Sequence, residues 1–79
     1  MRKGDKVRLY GWVDEDRLVR CRIGSEGARS LIHHAGHAIV LGAGEEDCQW
    51  FDGPWVRLRF PFSELAWVIR RCYVEEVPP

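Results

Sequence analysis

Long apolar runs are missing from this chain. No stretch of its 79 residues comes near the ~18 consecutive apolar residues that a membrane-spanning helix needs, so a membrane partner is not expected. Net charge is missing too. Twelve basic residues balance twelve acidic ones, and no whole-chain field steers the protein toward nucleic acid, membrane or an acidic substrate. Cysteine is sparse, and Cys21, Cys48 and Cys72 make an odd count, unlike the even framework of a small secreted disulfide domain. The opening Met1-Arg2-Lys3-Gly4-Asp5 leads into no apolar segment of the kind a secretory leader carries. A reducing, cytoplasmic setting is the expectation. Repeats, linkers and low-complexity stretches are also lacking. The chain reads as a single domain over residues 1–79, with loose ends at 1–4 and 75–79. A domain of this size buries only about 60% of its unfolded surface, so its core is small.

What is present is alternation. Val7 and Leu9 alternate with Arg8 and Tyr10, and Val56, Leu58 and Phe60 alternate with Trp55, Arg57 and Arg59. That is the period of half-buried strands. Val19, Cys21 and Ile23 alternate with Arg20 and Arg22, which predicts a further strand over 18–23. Two glycines within Gly24-Ser25-Glu26-Gly27 then read as a loop using positive φ. Residues 28–37 read equally well as a helical turn or a strand. His37–Gly42 reads as a strand, and 48–51 as a strand extension or a loop closure. Asp52-Gly53-Pro54 is a turn signal, and 67–74 reads as the final strand. The expectation is a mostly β fold with at most one short helix. Its form is a small open barrel of about five strands, with a short helical turn before the last strand.

Two segments carry a resemblance. Gly4-Asp5-Lys6-Val7-Arg8-Leu9 resembles the first strand of SH3-like barrels, and residues 56–68, with Glu64-Leu65 in a turn, resemble their end. The resemblance implies that Leu65 plugs the open end of the barrel. The Gly4-Asp5-Lys6-Val7-Arg8 opening is also similar to that of the small type II plasmid dihydrofolate reductases, which build one active site from four chains. Their catalytic Val-Gln-Ile-Tyr is replaced here by Val56-Arg57-Leu58-Arg59, so the activity is not carried over. SH3-like barrels host many unrelated functions, and the fold alone names none.

Chemistry-bearing patterns are few. Ser25, Ser30 and Ser63 sit in no nucleophile motif, the cysteines lack Cys-x-x-Cys spacing, and Gly42-Ala43-Gly44 opens no helix. No catalytic residue and no cofactor are assigned. His33 and His37 would share a face at i, i+4 if helical, but no second ligand pair follows and Cys48 stands alone, so a polar loop is preferred over a metal site. The informative residues are arginines and aromatics on predicted outward faces: Tyr10, Trp12, Arg20, Arg22, Trp55, Arg57 and Arg59. Arginine beside aromatic rings suits a protein interface or stacked bases and phosphates. Four tryptophans are more than a core this small holds, so some are expected on the surface. The leading expectation is a non-enzymatic binding or interaction module that self-associates as a homodimer or other homo-oligomer. The alternatives are a nucleic-acid-binding protein using the Arg/aromatic face and an oligomeric enzyme with a shared pore.

Overall fold

A computed structural model describes residues 1–34 and 36–78 of the chain. Five strands, β1 (Lys6–Leu9), β2 (Ala38–Gly44), β3 (Trp55–Arg59), β4 (Ala66–Arg70) and β5 (Val74–Glu76), form one antiparallel sheet in the order β4-β3-β2-β1-β5. A 3-10 turn, Arg71–Tyr73, precedes β5. The sheet is open at β4 and β5, an arrangement compatible with SH3-like barrel architecture. Between β1 and β2 the chain inserts two helices, α1 (Glu15–Arg20) and α2 (Ser25–His34), which pack on each other. Among the described residues no helix is long and apolar enough to cross a membrane.

The core lies between helices and sheet. Val7, Val40, Val56, Leu58, Phe60, Ile69 and Val74 line one sheet face and join Leu18, Ala28 and Leu31 from the helices in a single buried cluster. The alternation in β1 and β3 thus places its apolar set inward, as the sequence implies. Leu41 is the extra residue of an irregularity in β2, where pairing steps from Val40↔Leu58 to Gly42↔Arg57; such bulges bend a strand.

Several expectations are corrected. Residues 18–23 are not a strand. Asp14 caps α1 by accepting the Arg17 backbone N–H at 2.9 Å, and Glu15 and Asp16 sit favourably in its first turn. Leu18 and Cys21 point inward at the helical i, i+3 spacing, while Val19 is exposed. The fold therefore has two α-helices, not at most one. Gly24 opens α2 and Gly27 lies within it. The positive φ falls instead on Arg22, at 66°, where the chain leaves α1. Residues 28–34 are helical; Ala35 and Pro79 lie outside the described residues. Residues 48–51 close a loop, and Phe51 drops into the core. Leu65 plugs nothing: it is 65% exposed. The 67–74 strand is interrupted by the 3-10 turn. Both chain ends are tied down, Gly4 N–H to the Val40 carbonyl at 2.8 Å and Val77 N–H to the Lys6 carbonyl at 3.0 Å.

Candidate binding face of the sheet

Each inward residue of a strand leaves its neighbours facing out. On the outer face, Lys6, Ile39, Arg59 and Ala66 form one cross-strand row. Gly42, Arg57 and Val68 form the next row, and Gly44, Trp55 and Arg70 the third. Arg8 lies opposite Glu75 on the β1–β5 side and binds it through Nε at 2.6 Å. The strand residues of this face therefore carry Lys6, Arg8, Arg57, Arg59 and Arg70 against the single carboxylate of Glu75. A formally neutral chain thus gathers basic residues on the strands of one face. Among the described residues, Arg57 and Arg59 make no ion pair and no side-chain hydrogen bond.

Trp55 is fixed by what β2 lacks. A Cβ at Gly44 would sit 2.7 Å from Cε2, Cζ2 and Nε1 of the indole. Nε1, Cε2 and Cζ2 at one distance place that point against the Nε1–Cζ2 edge of the indole, so a side chain at residue 44 would displace the ring. Trp55 and Trp50 line a shallow cleft of about 240 Å³ together with Cys48, Gln49, Arg57 and Val68. The loop bearing Trp50 is pinned on both sides. Asp47 Oδ1 accepts the Gly53 N–H at 2.7 Å, Cys48 N–H donates to the Phe51 carbonyl at 3.2 Å, and the Arg70 guanidinium covers the Phe51 ring at 4.7 Å while donating to the Asp52 carbonyl at 2.7 Å. Trp50 stands 43% exposed between these anchors.

The seven sequence-selected residues thus divide. Trp55, Arg57 and Arg59 share the outer face as expected. Tyr10 and Trp12 follow the end of β1 and form their own cluster. Their rings stack at 5.6 Å, Tyr73 meets Trp12 edge-on at 5.7 Å, and the Arg17 guanidinium lies 5.5 Å above Trp12. Arg20 ends α1 and Arg22 lies in the α1–α2 link, so neither belongs to a strand face. Trp50, Lys6 and Arg70 belong to the face and were not selected. Trp50 sits in an irregular loop with no period to betray it, whereas the parity of Lys6 with Arg8 was available.

Elsewhere the chemistry is sparse. His33 and His34 meet edge-on at 4.6 Å at the end of α2, and His37 lies beyond it. Burial pushes the Cys21 thiol up, with the Arg70 backbone N–H beside the sulfur pulling the other way; a protonated, buried thiol is a poor nucleophile. Trp67 Nε1 is a buried donor with no partner among the described residues. No protein-family model matches the chain, and no curated protein or solved structure matches it significantly.

Proposed function

We propose that this protein is a non-enzymatic binding module whose working surface is the outer face of the sheet. The observation that carries this reading is the pair Arg57 and Arg59, exposed, adjacent on one strand face and without a carboxylate partner among the described residues. Arg8, Arg17 and Arg29 pair with nearby acids. Arg57 and Arg59 do not, and what sets them apart from the other unpaired arginines is their place on one strand face beside the tryptophans, which suits recognition of an anionic partner. Titration of 15N-labelled protein with a heparin-derived hexasaccharide, a generic polyanion, tests it. Amide shifts should cluster at Lys6, Trp55, Arg57 and Arg59 and vanish in Arg57→Glu/Arg59→Glu. Shifts scattered over the helices would refute the assignment.

Self-association is a second reading, favoured by the β4 edge. β4 pairs with β3 over five unbroken register positions and with nothing on its other side. It carries no proline and a charge only at its last residue, Arg70, whereas β5 is three residues long and guarded by Glu75, Glu76 and Pro78. Arg71 N–H reaches back to the Pro54 carbonyl, so by alternation Ala66, Val68 and Arg70 turn their N–H groups outward. Cys21 sits at the last of these, and Ala66 and Val68 border a cleft of about 190 Å³ beside residues 21–24 and Trp50, which a strand of a second copy would enter. The like charges of the outer face oppose face-to-face pairing, so the edge is the better contact. Light scattering reads it: a dimer that dissociates on Val68→Pro supports the edge contact, and a monomer at tens of micromolar removes it.

A further inference from the structure

We infer that the partner of the basic outer face is single-stranded nucleic acid, with one base stacked in the Trp50–Trp55 cleft and neighbouring phosphates on Arg57 and Arg59. This rests on the outer-face reading above and names its partner. Three observations converge on it. The Trp55 indole fills the space that a side chain at residue 44 would take and lines a cleft on the outer face. Trp50 lines the same shallow cleft of about 240 Å³, on a loop held by its own hydrogen bonds. Arg57 lines the cleft and Arg59 continues the row two residues on, about 7 Å further along the strand.

Charge complementarity demands an anion, and the cleft demands something flat. A peptide of aspartates and glutamates supplies the first and has no flat ring for the second. A duplex supplies phosphates, but its base faces are covered by their neighbours. An unpaired base beside its own phosphates satisfies both, the combination that serves single-strand recognition generally. Stacking is indifferent to base identity, so the structure implies little sequence preference.

Fluorescence anisotropy with fluorescein-labelled dT12 and rU12 tests the proposal, with a twelve-base-pair duplex and a poly-glutamate peptide as comparisons. Both single strands should bind at least tenfold more tightly than either comparison. Trp50→Ala, which alters an exposed loop residue, should weaken single-strand binding by about fivefold or more. Arg57→Ala/Arg59→Ala should lower the slope of log K against log salt by about 1.4, at ~0.7 per phosphate contact on single strands. Both variants should keep the wild-type melting temperature within a few degrees. If poly-glutamate binds as tightly and with the same arginine dependence, the basic face stands and the nucleic-acid partner is overturned. Failure of every probe to bind overturns both readings. Single-strand binding that is unchanged in both variants places the site elsewhere and overturns the assignment.

Discussion

Gly27→Ala sets two known effects against each other. Gly27 is the third residue of α2, and in an exposed helix alanine would be better than glycine by about 1 kcal/mol. Here the new Cβ would lie 2.8 Å from Cη2 and 2.9 Å from Cζ3 of Trp67, and 3.2 Å from Cγ2 of Ile23. Ordinary carbon contacts are about 3.5–4.0 Å, so helix and indole must separate by close to 1 Å. The indole cannot simply swing away. Its backbone is held in β4 opposite Leu58, and its Nε1 is already buried. Overpacking of this kind costs about 1–3 kcal/mol, which outweighs the propensity gain and leaves a net loss of about 1 kcal/mol. For a domain of this size that lowers Tm by roughly 4–8 °C. Thermal and urea unfolding followed at 222 nm would measure it. Trp67→Phe removes the second ring that meets the Cβ, so Gly27→Ala placed on that background should stabilise, with a coupling of about 1–2 kcal/mol between the sites. A higher Tm for Gly27→Ala in the wild-type background would refute the close helix–sheet contact.

Arg22→Gly should stabilise the fold by about 0.5–1 kcal/mol: relief of a left-handed arginine at φ 66° is worth about 1–2 kcal/mol, less the ~0.5–1 kcal/mol entropy of glycine, and chemical denaturation would show it. Phe60→Ala and Leu58→Ala, both 0% exposed, should each cost about 2–5 kcal/mol against a total of roughly 4–12 kcal/mol for a chain this long; melting within a few degrees of wild type would contradict their burial. The Arg17 backbone N–H, which Asp14 accepts, holds the Asp14 carboxyl below its usual range, with the Arg17 guanidinium helping. A depressed folded value stabilises above the unfolded one and is lost as pH falls through it. The Tm gap between wild type and Asp14→Ala should therefore be full at neutral pH and close below about pH 4.

The strands were legible because a sheet with one buried face writes a period of two into its sequence. Val56-Arg57-Leu58-Arg59-Phe60 can be satisfied in only one way, and its inward and outward sets follow directly. The outward position of Trp55, Arg57 and Arg59 came from the same rule. Residues 18–23 show its limit. Val19, Cys21 and Ile23 alternate, yet Leu18 and Cys21 equally satisfy a helical spacing, and six residues are too few for periodicity to decide. The deciding signal was local, the capping aspartate ahead of Glu15-Asp16, and it competes with a turn reading of the same three acids. Other features were set by tertiary contact alone. Trp50 joins Trp55 because a loop anchored by Asp47, Phe51 and Arg70 folds across the sheet, and no local propensity encodes that path. Gly44 and Gly27 read as breakers, yet each makes room for an indole from another element. Charge balance hid the basic face, because net charge is a sum over the chain and segregation is a property of the sheet. Composition, alternation and turn chemistry act between near neighbours in sequence and so determined the strands and the small mostly β fold. The cleft and the packing of Trp55 against Gly44 join residues five to twenty positions apart, and only the packed structure brings those together.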